Sequence, residues 1–171
     1  MIVLGIDPGL SGGLALVAGS PGQRLRLIDA MDVPVHGDAA KRRVNVGAVL
    51  DFIQRNAPDR GLIERAQLIP DQNISAGGIY MRAVGALEAC VEGLGVPLLI
   101  IESSAWKKYH GLSRKSLPEG LSRTQATAAF KENSRQRAIL LFAGNHRLFD
   151  RKKDHNRAEA ALIAAYGATL V

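Results

Sequence analysis

Three acidic positions in this chain stand where carboxylates can do chemistry. Asp7 ends the apolar run Ile2-Val3-Leu4-Gly5-Ile6 and is followed at once by the turn-forming stretch Pro8-Gly9-Leu10-Ser11-Gly12-Gly13. Glu64 repeats the pattern at the end of Leu62-Ile63. Glu159 lies in Lys152-Lys153-Asp154-His155-Asn156-Arg157-Ala158-Glu159-Ala160-Ala161, which opens the last helical stretch. A carboxylate at the tip of a buried strand is costly to desolvate unless it has a partner, and a divalent metal is one such partner. Each residue also has a plainer reading. Asp7 is a turn former that bonds its own backbone, Glu64 an ion-pair partner of Arg65, Asp154 a helix N-cap, and His155 a surface or capping histidine. Taken singly, both readings stay open.

Helical spacing sharpens the third piece. His155 and Glu159 fall about 40° apart on one helix face, whereas Asp154 is about 140° from Glu159 and reaches the same place only as the N-cap residue. Two strand-end acids and a helix-start cluster of acid and histidine make an oxygen-rich cage. Mg²⁺ and Mn²⁺ prefer such a cage, while zinc requires more His or Cys. Paired ions about 3.5–4 Å apart activate water and stabilise the leaving oxygen of a phosphodiester.

The elements that must position these groups are legible in outline. Strands are predicted at 2–7, 13–18 and about 24–32, forming an antiparallel meander. A loop containing Pro34, Gly37 and Lys41-Arg42-Arg43 leads to a helix near 46–57, on which Val46, Val49, Leu50 and Ile53 share a face. Leu62-Ile63-Glu64 is a short strand. A long helix at about 76–94 carries Ile79, Ala83, Ala86, Leu87, Cys90 and Leu94 on one stripe and is closed by Gly95 and Pro97. Residues 96–101 form the most apolar run and are expected to be a central, parallel strand buried on both faces. A short helix at 104–110, a basic loop at 111–122, a helical region to about 142 with a break near Asn133-Ser134, and a final helix at 155–168 complete the chain. Ala158, Ala161, Leu162 and Ala165 give that last helix a small inner face, which allows close approach to the sheet. The pattern describes an α/β chain with a mixed five-stranded sheet, antiparallel meander plus parallel strands, flanked by helices.

Size and charge set further bounds. The 171 residues suit one domain, 1–171. No apolar run approaches the roughly 18 residues of a membrane helix, and no charged leader precedes the first strand, so a cytoplasmic protein without a membrane partner is expected. The single Cys90 excludes an internal disulfide and a Cys-based zinc site. Of the net charge of +6, residues 107–153 hold twelve Lys and Arg against three acids, Glu119, Glu132 and Asp150, and the rest of the chain is mildly acidic. A basic C-terminal third is the footprint of a phosphate-backbone binder. Candidate DNA contacts are Lys107, Lys108, Arg114, Lys115, Lys152 and Lys153. Trp106 is either core or a stacking platform for a base, and Tyr80 and Phe52 read as core or interface residues.

The ordered set Gly5-Ile6-Asp7-Pro8-Gly9, Ile63-Glu64-Arg65-Ala66, Ser104-Ala105-Trp106-Lys107-Lys108 and Lys153-Asp154-His155…Ala158-Glu159-Ala160 resembles the RuvC-type crossover-junction endodeoxyribonucleases, or Holliday junction resolvases, particularly their bacteriophage and prophage branch. The resemblance spans residues 1–168. It implies a ribonuclease-H-like fold, a homodimer formed through the helix at 76–94, and Mg²⁺-dependent paired nicking of a four-way DNA junction, with Mn²⁺ as a substitute and no other small-molecule cofactor. By that pattern Asp7 and Glu64 are metal-ligand carboxylates and Glu159 is the second acid of the C-terminal helix. Many relatives carry another acid three residues before it, where this chain has Asn156. The fourth ligand is then Asp154 or His155, with Asn156 third. Two other readings accompany this one. The chain is a catalytically weak branched-DNA-binding module of the same fold, or a fragment of an actin- or sugar-kinase-like phosphotransferase, whose first hairpin is also rich in Asp and Gly.

Overall fold

The computed structural model describes residues 1–38, 41–68, 73–113 and 117–170. β1 (Ile2–Asp7), β2 (Gly13–Ala18) and β3 (Arg26–Asp32) form the antiparallel meander. β6 (Arg60–Glu64) pairs parallel to β1, and β7 (Leu98–Ile101) pairs parallel to β6, so the sheet order is β3-β2-β1-β6-β7. The mixed five-stranded sheet expected from the sequence is present.

Period-two alternation sends side chains of each central strand to opposite faces. On one face Leu4, Ile6, Leu14, Leu16 and Ile63 pack under α1 (Val46–Asn56) and α2 (Ile74–Gly93). On the other, Val3, Ala15, Val17 and Leu62 pack under α5 (His155–Gly167), with Trp106 of α3 (Ser103–Tyr109) and Ala138 of α4 (Arg123–Leu141) closing the layer. α5 is buried almost all round, from Ala158 and Ala160 through Ala165. Its Ala-rich stretch lets it sit backbone to backbone on β1. A Cβ on Gly5 would lie 2.1 Å from the Ala160 carbonyl oxygen and 2.5 Å from the Ala164 nitrogen. α3 is pinned to the same helix: His110 Nε2 lies 2.8 Å from the Leu162 carbonyl oxygen. Burial lowers the His110 pKa to about 4, so the ring is neutral and donates there.

The structure departs from the sequence reading at four places. The apolar strand β7 is parallel but lies at the sheet edge, not its centre, and Leu99 and Ile100 are 43% and 50% exposed. Its composition is that of a buried strand, but among the described residues no strand pairs with its outer flank. The loop before α1 contains a small antiparallel pair, β4 (Val35–His36) and β5 (Arg43–Val44), with Gly37 at φ +85° in the connection. α2 starts at Ile74, two residues earlier than predicted, because the Asn73 side chain accepts from the Ser75 and Ala76 amides. α4 runs unbroken through Asn133-Ser134: the Ser134 hydroxyl donates to the Phe130 carbonyl 3.2 Å away, the back-bond that a helix tolerates. Among the described residues, no helix is long and apolar enough to cross a membrane.

Candidate metal centre

The parallel register brings the first two carboxylates to one edge of the sheet. Ile6 stands opposite Ile63, so Asp7 and Glu64, the next residues, leave adjacent strands in the same direction. Ligand sites in such sheets gather at the carboxyl ends of parallel strands. The third carboxylate comes from α5, whose first turns rest on the β1–β2 hairpin. A Cβ on Gly13 would meet the Asn156 carbonyl oxygen at 2.4 Å, and the Asn156 amide donates to the Ser11 carbonyl. One turn further along, Glu159 shares a cleft of about 400 Å³ with Asp7, the Pro8–Gly12 turn, Tyr80, Lys131 and Asn156.

The electrostatics show how closely the acids are held. Burial, then the charges of Glu159 and Glu64, raise the Asp7 pKa well above the usual carboxylate range, against the opposing pull of Lys131 and Lys107. Glu159 is raised as well, chiefly by burial, with Glu64 adding to the effect and Lys107, the nearby Ser134 hydroxyl and Lys131 opposing it. Tyr80 is raised by burial and by Asp7 and Glu64, so its phenol stays protonated beside the cleft. Crowded, half-buried carboxylates of this kind favour a cation among them.

Glu64 is fixed by α3. Trp106 Nε1 donates to Glu64 Oε2 at 2.7 Å, and Lys107 Nζ stands 3.9 Å from the same oxygen. Trp106 is fully buried, so it is core, as one of the two sequence readings had it; its indole N–H also orients an acid, which neither reading contained. Arg65 turns away to Glu102, 2.5 Å distant, and leaves Glu64 free of the ion pair considered for it.

The other candidates divide. Asp154 does not join Asp7, Glu64 and Glu159: it is buried at the start of α5 in bonds with Arg151, whose backbone N–H lies 2.9 Å from Oδ2 and whose guanidinium lies 2.6 Å from Oδ1. Burial alone would raise its pKa, but those bonds outweigh it and hold the carboxyl below its ordinary value. His155 Nδ1 lies 3.0 Å from the Lys152 carbonyl oxygen and must donate, which leaves Nε2 as acceptor for Lys131 Nζ, also at 3.0 Å. Lys107 is at the site, while Lys108, Lys152 and Lys153 are solvent-exposed. Arg114 and Lys115 lie outside the described residues. Among the described residues, no group of three or more His, Cys, Asp or Glu side chains is arranged to hold a metal ion. The donor set that faces the cleft, carboxylates with one amide, is nevertheless the oxygen chemistry of Mg²⁺ or Mn²⁺.

Two participants escaped the sequence reading. Lys131 and Ser134, three apart on α4, share a helix face and both reach the acids. No motif marks them, because α4 is polar nearly all round and its inward face is set only by where α5 packs.

No protein-family model matches the chain, and no curated protein matches it in sequence. Solved structures do match, over nearly its whole length. Thermus thermophilus RuvC in complex with a Holliday junction substrate superposes with a TM-score of 0.68 at 22% identity, covering 98% of this chain and 93% of that one. The fold is that of RuvC. The fowlpox virus Holliday junction resolvase follows at a TM-score of 0.60 and 14% identity, covering 98% of both chains. The yeast mitochondrial Holliday junction resolvase Ydc2 gives 0.53 at 15%, with 96% of this chain and 77% of that one covered. In this RuvC-like, ribonuclease-H-like frame the three acids occupy the ends of β1 and β6 and the second turn of α5.

Proposed function

We propose that residues 1–171 form a single nuclease domain that resolves four-way DNA junctions by paired, metal-dependent nicks, acting as a homodimer in the cytoplasm. The observation that carries this reading is the convergence of Asp7, Glu64 and Glu159 at one sheet edge, with Lys107 and Lys131 beside them, in a fold whose solved relatives include junction resolvases. Asp7, Glu64 and Glu159 are the proposed Mg²⁺ ligands, with Asn156 at the rim. The metal would activate water and neutralise charge on the scissile phosphate. The protein's own residues do the rest: Trp106 holds Glu64 in one rotamer, and Lys107 draws in the phosphate backbone. Exposed Ile74 and Met81, seven residues apart on one face of α2, supply an apolar patch suited to a second copy.

Nicking of four-way, three-way, flap and linear DNA in Mg²⁺ or Mn²⁺ tests the reading. Four-way junctions are expected to be cut fastest; linear duplex cut equally fast would remove the resolvase assignment and spare the nuclease. One observation favours a second reading, a binding module with a weakened site: Asn156 faces the cleft with an amide where an acid would add charge. Junction binding without nicking in either metal would select that reading.

Trp106→Phe offers a finer check. An aromatic ring is kept, although a smaller one, and Glu64 Oε2 loses its 2.7 Å donor. Orienting groups behind metal ligands are commonly worth about 10–100-fold in affinity or activity. We expect nicking to fall within that range, with the melting temperature lowered by the loss of buried ring atoms. An unchanged rate across a Mg²⁺ titration would refute the role assigned to the indole.

A further inference from the structure

We propose that Lys131 is a built-in counter-ion that competes with the divalent metal, so that metal loading is coupled to arrival of the DNA phosphate. This inference rests on the metal-dependent reading above and extends it to a residue outside the carboxylate set.

The geometry that supports it is specific. Lys131 is half-buried on α4 and lines the same cleft as Asp7, Asn156 and Glu159. Its ammonium stabilises the ionised forms of both Asp7 and Glu159. It also takes up the Nε2 lone pair of His155, 3.0 Å away, whose other nitrogen is committed to the Lys152 carbonyl. One cation therefore opposes the charge crowding on two proposed ligands and engages the nitrogen of a third candidate. A divalent ion entering between Asp7 and Glu159 meets this positive charge within the same half-buried cleft, where repulsion is stronger than in water. The opposing interaction is relieved when an anionic phosphate enters the cleft, because a lysine on a flexible four-carbon stem can turn to it. DNA then strengthens metal binding, and by linkage the metal strengthens DNA binding by the same factor.

The test is Mn²⁺ titration by calorimetry on the full chain, with and without an uncleaved four-way junction carrying phosphorothioate linkages at the nicking positions. For the wild type, junction DNA should tighten Mn²⁺ binding by a factor in the 5–150-fold range usual for such coupling. Lys131→Gln should bind Mn²⁺ more tightly than the wild type in the absence of DNA, by about tenfold, and its DNA-dependent gain should shrink towards one. Lys131→Arg keeps the charge and should stay close to the wild type, which separates charge from loss of packing; circular dichroism checks that both variants fold. Equal or weaker Mn²⁺ binding by Lys131→Gln, or an undiminished DNA-dependent gain in that variant, overturns the proposal. If the wild type nicks junctions in Mn²⁺ while either of those results is found, only the counter-ion role falls. If the wild type neither binds Mn²⁺ nor nicks DNA, the metal-dependent reading falls with it.

Discussion

Asp7→Asn should abolish junction nicking while leaving junction binding intact. The substitution is nearly isosteric and removes one charge from the carboxylate that couples to both other acids. Losing a single electrostatic partner of a transition state typically costs about 10²–10³-fold, and Asp7 is central to the proposed ligand set, so a loss of at least that size is expected. The fold should not suffer. Because the folded-state pKa of Asp7 is raised, the folded chain holds its proton more tightly than the unfolded chain does. Stability from this group is therefore present in acid and lost as pH rises through the raised folded value. Without metal, Asp7→Asn should melt at or above the wild-type temperature at pH 8, and the difference should close on acidification. Added Mg²⁺ should stabilise the wild type and have little effect on the variant. Normal nicking by Asp7→Asn in Mg²⁺ would show that the metal site is misassigned.

The second large effect lies at Gly5 and concerns stability. A methyl at this position would press on two main-chain atoms of α5, the Ala160 carbonyl oxygen at 2.1 Å and the Ala164 nitrogen at 2.5 Å. Neither belongs to a flexible side chain that can swing aside, so the helix must lift from β1. Overpacking of a tight core costs roughly 1–3 kcal/mol and sometimes more. With two main-chain atoms of α5 in the way, we place Gly5→Ala at or above the upper end, about 3 kcal/mol. For a chain of this size that is a fall in melting temperature on the order of 10 °C. Gly93→Ala is the matched control: it is exposed near the end of α2 with open space around its Cβ position and should be neutral or mildly stabilising. Similar urea midpoints for the two variants would mean that α5 has room to move and that the close helix–strand contact is not what holds it.

These expectations draw unequally on sequence and structure. The strands ending at Asp7 and Glu64 were legible because an apolar run stopping on an acid is a local pattern, and local patterns survive tertiary packing. The same holds for α5, whose Ala-rich face announced close approach. The position of β7 was not legible: Leu98-Leu99-Ile100-Ile101 is equally compatible with a central strand and with an edge strand that has an apolar flank, and only strand order separates them. Asp154 and His155 illustrate a different difficulty. Both lie close in sequence to Glu159, but the chain enters α5 through a short 3-10 turn, Lys152–Asp154, that folds Asp154 back on Arg151. Lys131 and the indole of Trp106 act across 24 and 42 residues of sequence, respectively, and no local pattern reports such partners.

The place of α5 also bears on how the protein is made. This helix is the innermost element of one half of the core and the carrier of Glu159, and it follows every strand on which it packs. A chain still emerging from the ribosome has Asp7 and Glu64 early but lacks both the third acid and the layer that seals the sheet. Folding and assembly of the acidic site are thus completed by one late event. An unfinished chain lacks the third acid of the proposed site for as long as it lacks the helix that covers the sheet.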